Sequence, residues 1–222
     1  MPGEYPRFRR VYCEEGRKVS LKPDRIELDL RMRALDKEYR ASMEKGALYL
    51  SDLRDKLKEA GFDTDDLKTT NFNVERYSEY DSKKREYRFV GYYTNHSLRL
   101  GFDFDTELLS KALDAVSNSV SDPETDIRFT VKDKESPKEE LLRSAAADAR
   151  KKAEILTEAS GVKLGELVNI NYDWGELNIY SRTVYEDRAF GGEPMLAKSV
   201  AMDVVPDDID LSDTVSFMWE IE

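Results

Sequence analysis

The sequence predicts an α+β protein: mainly antiparallel sheet with long hairpins, and helices packed on one side. Three observations predict it. Arg25 to Leu35 alternates, with Ile26, Leu28, Leu30 and Met32 on one face and Glu27, Asp29 and Arg31 on the other. Two long strand-like runs, Lys68 to Tyr80 and Arg85 to about Phe104, flank the turn Asp81-Ser82-Lys83-Lys84. Helical stripes fall between strands unevenly, without the regular alternation of a parallel α/β sheet. Strand–helix–strand recurs twice, which points to two related halves.

The elements follow in order. A first strand spans about Arg7 to Glu14, and a Pro23-flanked strand follows it; Pro23 lacks an N–H and suits a junction between strand segments. Asp36 is placed to cap a helix that runs through Ala60, with Tyr39, Met43, Ala47, Leu50, Leu53 and Leu57 as its apolar stripe. Gly61 suits its left-handed terminator. After the long hairpin, Asp105 or Thr106 caps a second helix with Leu108, Leu109, Ala112, Leu113 and Val116 on one face. Ile127, Phe129 and Val131 alternate as a strand. Ser136-Pro137-Lys138-Glu139 reads as a helix start: Ser at the N-cap, Pro in the first turn, Glu at the capping-box position. That helix ends at Ala159 or Ser160, before Gly161. Leu167 to Tyr172, Val200 to Val205 and Val215 to Ile221 read as strands. Residues 173–194 form a long excursion, expected to protrude as an arm because Leu177, Ile179 and Tyr180 are too apolar for a free loop.

Composition bounds the function. The 222 residues carry a formal net charge of −11, which argues against nucleic acid or an anionic membrane surface as the main partner. No run reaches the roughly 18–20 apolar residues of a membrane span. Cys13 is the only cysteine, so neither an internal disulfide nor a thiolate metal cage can form. The first residues show no apolar leader, so a cytoplasmic protein is expected; the alternative is an extracytoplasmic one whose leader has been removed.

No residue set declares a reaction. His96 is the single histidine, mid-strand, and no G-x-S-x-G elbow accompanies it; an ordinary hydrogen-bonded strand histidine is the simpler reading. With one His and one Cys, zinc and haem sites are not expected. Cys13 lies beside Glu14 and Glu15, which disfavour its thiolate, and has no resolving partner. Asp103 and Asp105 precede a helix and serve as capping groups. Asp207, Asp208, Asp210 and Asp213 lack the glycine and terminal glutamate of a calcium loop and read as a solvated turn. No catalytic residue, metal ligand or cofactor is expected.

Two aromatic stretches remain. In the segment 76–93, Tyr77, Tyr80, Tyr87, Phe89, Tyr92 and Tyr93 interleave with Arg76, Lys83, Lys84, Arg85 and Arg88. Base-stacking sheets share this composition. So do cross-strand packing and protein interfaces. Trp174, Leu177, Ile179 and Tyr180 form the second stretch. Tyr87, Phe89, Trp174, Leu177, Ile179 and Tyr180 are the candidate interface residues.

Several segments together resemble the SIMPL-domain family. They are Gly16-Arg17-Lys18-Val19-Ser20-Leu21-Lys22-Pro23-Asp24, Asp65-Asp66-Leu67-Lys68-Thr69-Thr70-Asn71-Phe72, Ala145 to Ala153, Ser160 to Gly165, and Asp213-Thr214-Val215-Ser216-Phe217. Their order and spacing cover almost the whole chain, so one SIMPL-like domain over 1–222 is expected. The resemblance implies an α+β unit that assembles into large homo-oligomers, ring- or channel-like in some members. Bacterial members are associated with oxidative-stress defence, and a mammalian relative is a kinase-binding adaptor. No catalytic residues come with the family. The expectation is therefore a non-enzymatic, self-assembling protein with a stress role. The alternatives are a hydrolase or redox enzyme with an unrecognised site, and a nucleic-acid binder using the segment 76–93.

Overall fold

The computed structural model describes residues 10–172, 178–183 and 204–222. In chain order the elements are β1 (Arg10–Leu21), β2 (Arg25–Asp36), α1 (Tyr39–Glu59), β3 (Leu67–Asp81), β4 (Glu86–Asp103), α2 (Thr106–Ser117), β5 (Glu124–Thr130), α3 (Glu135–Ala159), β6 (Leu164–Tyr172) and β7 (Ile209–Ile221). Among the described residues these strands pair antiparallel. The α+β class expected from the sequence holds. The chain gathers into two compact units, residues 23–130 with 181–207 and residues 1–22 with 131–180 and 208–222.

The first unit is a four-stranded sheet in the order β3-β4-β2-β5. Ile26, Leu28, Leu30 and Met32 of β2 point to one side, where they meet Leu98 and Leu100 of β4, Leu53 and Leu57 of α1, and Leu109 of α2. This one-sided burial follows directly from the alternation of β2. Gly61 ends α1 with φ +93°; its N–H bonds the Lys58 carbonyl and the Phe62 N–H bonds the Leu57 carbonyl, both at 3.0 Å. Those two bonds form a Schellman stop. Asp105 caps α2, its carboxylate accepting from the N–H groups of Glu107 and Leu108.

The second unit is a three-stranded sheet in the order β1-β7-β6 with α3 against it. Ala145, Ala149 and Ala153 recur every four residues and lie buried against Cys13, Val215, Phe217 and Trp219. Small side chains on that line bring the helix close to the sheet.

Several boundaries differ from expectation for physical reasons. β1 runs on through Gly16 to Leu21, because β7 pairs with it over all twelve positions, including Gly16 opposite Thr214. Asp36 belongs to β2 and only accepts from the Glu38 N–H; α1 starts at Tyr39 without a side-chain cap. Ser136 lies inside α3, because the Asp133 carboxylate has taken the N–H groups of Glu135 and Ser136, each at 3.0 Å. Asp210 and Asp213 sit within β7 and not in a turn. Val204 and Val205 are not strand. The other residues of the strand expected at 200–205 lie outside the described residues, as does most of the expected arm at 173–194.

The stripe of α1 is also turned from its expected position. Leu53 and Leu57 are buried, but in the first half Ser42 and Gly46 face the sheet while Tyr39 and Met43 are exposed. Ser42 Oγ lies 3.1 Å from Thr94 Oγ1, and a Cβ built on Gly46 would stand 2.9 Å from Thr94 Cγ2. The contact with β4 is too close for Met43 or Ala47 to occupy it.

Candidate functional site

The β3–β4 hairpin is the most exposed regular structure of the four-stranded unit. Among the described residues β3 is an edge strand, bonded only to β4. Of its residues only Leu67 is buried. The first five residues of β4 (Glu86 to Val90) are likewise largely open to solvent, and burial begins at Gly91, next to Tyr92, which lies opposite Asp36 at the end of β2. A Cβ on Gly91 would stand 2.3 Å from the Asp36 carbonyl oxygen, so only glycine permits this approach. Beyond it the two strands continue as a ribbon outside the sheet.

Strand register assigns the hairpin side chains to faces. Thr94 faces α1, so its partner Val74 does too, and with it Phe72 opposite His96 and Arg76 opposite Tyr92. Aromatic rings continue along this face. The Tyr39 and Tyr92 rings meet edge to face at 5.6 Å, Phe89 and Tyr92 at 5.3 Å, and the Arg76 guanidinium lies 4.9 Å from the Phe89 ring centre. Near the tip Tyr80 and Tyr87 pack at 5.2 Å. On the opposite face Tyr77 meets Tyr93 at 4.7 Å, and Asn95 donates to Glu75 at 2.9 Å. Phe72, Tyr80 and Tyr87 remain 50, 55 and 76 % exposed. Within residues 76–93, Arg76, Lys83, Lys84, Arg85 and Arg88 stand against Glu79, Asp81 and Glu86, an excess of two positive charges on a chain of net −11.

Of the six candidate interface residues, Tyr87 and Phe89 are on this hairpin and exposed. Ile179 is corrected: at 2 % exposure it packs with Val131, Leu141, Ile209 and Leu211 in the core of its own unit, so its apolar surface is already covered. Tyr180 is half-buried, with the Lys134 ammonium 5.0 Å from its ring centre. Trp174 and Leu177 lie outside the described residues. Exposed Phe72 belongs with the hairpin group although it lies before residue 76. Register on an edge strand reveals it, and composition does not.

His96 is buried on the helix face of β4, with Nε2 3.0 Å from Thr69 Oγ1 and its ring edge to face with Phe72 at 5.2 Å. Burial, and to a lesser degree the Arg54 charge, hold its pKa below the ordinary 6.5, so the ring is neutral near pH 7. Cys13 is buried beneath α3, and burial raises its pKa; Lys152 opposes the rise and Glu15 adds to it. Lys152 pairs directly with Glu15. Neither group has the setting of an activated nucleophile.

The face of the four-stranded sheet away from the helices carries a cluster of ion pairs. Arg99 makes two bonds to Asp29, at 2.7 and 3.2 Å, and lies 3.6 Å from Glu27; Arg128 reaches Asp29 at 3.0 Å, and Arg31 reaches Asp126 at 2.5 Å. A cavity of about 200 Å³ opens among Asp29, Thr70, Ser97, Arg99, Asp126 and Arg128. Its charges are matched to one another, which is the signature of a network that fixes cross-strand register. Among the described residues no group of three or more His, Cys, Asp and Glu side chains is placed to hold a metal ion. No helix among them is long and apolar enough to cross a membrane.

Two antiparallel sheets, one with α1 and α2 against it and the other with α3, make this an α+β protein. The SIMPL family, described as a protein of unknown function (DUF541), matches residues 17–219, and the chain belongs to it. No curated protein matches the chain.

Proposed function

We propose that this chain is a non-enzymatic SIMPL protein that works by assembling with copies of itself. The observation that carries the reading is the β3–β4 hairpin, a ribbon past Gly91 whose aromatic side chains stay in water. Exposed apolar area costs about 25 cal/mol per Å² relative to burial, so a partner surface relieves a standing cost. A long unpaired edge is a second open valence, because its N–H and C=O groups template another strand. Charge supports the same partner: the hairpin is locally basic and the rest of the chain strongly acidic, so copies attract one another there. Any contribution to oxidative-stress defence then runs through the assembly, since burial and the raised pKa of Cys13 make its thiol a poor scavenger.

Light scattering on the purified chain across a concentration series tests the reading. The expected mass is a multiple of one chain, falling with added salt and in a Tyr87→Ser/Phe89→Ser variant. A single-chain mass at every concentration and at low salt overturns it. A second reading draws on the Arg76–Phe89 stack and the local positive excess: single-stranded nucleic acid on the same ribbon. A labelled oligonucleotide that binds tightly at low salt, and loses that binding in the same variant, would put this reading first.

A further inference from the structure

We infer that two copies join through β3, edge to edge and antiparallel, on a twofold axis at Val74, so that two four-stranded sheets become one of eight strands. This rests on the self-assembly reading above and specifies the contact made by its open edge. Three independent features of β3 converge on that residue.

The first is regularity. The pairing of β3 with β4 is irregular between Thr69 and Asn71 and again between Tyr77 and Ser78. Bulges twist an edge away from a flat partner. The regular span is therefore Asn71 to Tyr77, and Val74 is its midpoint. A twofold axis there uses all seven residues of both copies, and any other centre uses fewer.

The second is facing. Antiparallel strands related by a twofold axis keep the same face of the sheet, so opposed residues must share a face. With Val74 opposite itself, Phe72 lies opposite the second copy's Arg76, and both belong to the face that carries α1. Asn73 lies opposite the second copy's Glu75, and both belong to the other face.

The third is chemistry. Phe72 is half exposed and would receive a guanidinium over its ring; Arg76 already stacks on one ring, that of Phe89. Asn73 would donate its amide to the Glu75 carboxylate. Each pairing occurs twice by symmetry. Moving the axis one residue to Glu75 sets two carboxylates against each other, and two residues to Arg76 sets two guanidinium groups against each other; like charges directly opposite are destabilising. The charged residues that keep this edge from pairing indiscriminately thus become complementary in one register.

The experiment is site-directed cross-linking of the full chain in a Cys13→Ser background, run alongside light scattering of the unmodified chain. Opposed residues on an antiparallel pair have Cα atoms about 4.5–5.5 Å apart. That separation lies within the roughly 4.4–6.8 Å a disulfide spans. A single Val74→Cys variant is expected to oxidise to a covalent dimer in near-quantitative yield. A single Asn73→Cys variant is expected to stay monomeric on a denaturing gel, since its copies sit two positions apart along the strand, at roughly 8 Å. The Asn73→Cys/Glu75→Cys pair is expected to cross-link. If the unmodified chain assembles but Val74→Cys does not cross-link, or Asn73→Cys cross-links equally well, the β3 contact is wrong and assembly uses another surface. If the unmodified chain is monomeric at every concentration, this inference and the assembly reading both fall.

Discussion

Asp29 and Arg99 stand directly opposite each other on β2 and β4, joined by two bonds of 2.7 and 3.2 Å on the face of the sheet away from the helices. The fork of Arg99 matches the carboxylate, and Arg128 approaches the same group at 3.0 Å. One carboxylate thus ties the three neighbouring strands β4, β2 and β5. Asp29→Asn keeps the shape and removes the charge. It should lower the stability of the chain by about 1.5 kcal/mol, the low end for charge-assisted bonds because Arg99 keeps contact with water. The urea midpoint at unchanged slope measures this. An unmoved midpoint would mean that the cluster is a solvated surface with no structural weight.

Gly46 sits in the middle of α1, where alanine is worth about 1 kcal/mol more in helix propensity. The gap to Thr94 reverses the sign. An added Cβ would meet Thr94 Cγ2 at 2.9 Å in a fully packed contact, and overpacking costs about 1–3 kcal/mol. Gly46→Ala should therefore destabilise the native chain. In a Thr94→Ser background, which deletes Cγ2 and keeps the hydroxyl beside Ser42, the same change should stabilise it. Denaturation of the four chains in this cycle gives the coupling directly. A Gly46→Ala chain more stable than the parent would show that the helix simply moves away.

The same contact shows what the sequence could reveal and what it could not. The alternation of Arg25 to Leu35 is readable because one face of the strand is apolar and buried and the other charged, and Gly61 because a left-handed stop favours glycine. The start of α1 is not. Tyr39 and Met43 continue a three- and four-residue rhythm with Leu53 and Leu57, yet Ser42 and Gly46 are the residues against the sheet. Close packing selects small residues there, and small residues carry no hydropathy signal. Capping misleads for a related reason: Asp133 accepts from the N–H groups of Glu135 and Ser136, so the helix starts before Ser136 can cap it. The hairpin aromatics were visible in composition, but which of them share a face required the register set by Gly91 and the bulge beyond Tyr77. Ile179 read as free surface only because its neighbours Leu141 and Leu211 are remote in sequence.

His96 makes the fold sensitive to acid. Its folded pKa lies below the ordinary 6.5, through burial first and Arg54 second. The unfolded chain therefore takes up a proton at higher pH than the folded one. The stability this histidine contributes is complete above pH 6.5 and is lost as the pH falls through the lowered folded value. Urea midpoints of the parent should decline over that window more steeply than those of His96→Gln, which cannot titrate. Parallel curves for the two chains would contradict the assignment. An NMR titration of the single imidazole would fix the folded value itself.

Cys13 should be slow to react in the folded chain. It lies 6 % exposed on β1 beneath the alanine line of α3. Burial is the largest influence on its pKa and raises it; Glu15 pushes the same way, and only the Lys152 charge pulls the other way. A thiol so placed holds little thiolate at neutral pH, and the thiolate is the reactive form. Labelling with an aromatic disulfide reagent should proceed at the free-thiol rate in high urea and orders of magnitude more slowly in buffer. The slow rate should follow the opening of the β1–α3 contact as denaturant is added. Lys152→Met separates the two influences. It removes the one group that favours thiolate, and it also takes the partner from the nearly buried Glu15. Stability should fall, so labelling through opening should speed up, while the rate limit set by the folded thiol itself should not rise. A native rate equal to that in urea would show Cys13 to be accessible, and would reopen a direct redox role for this thiol.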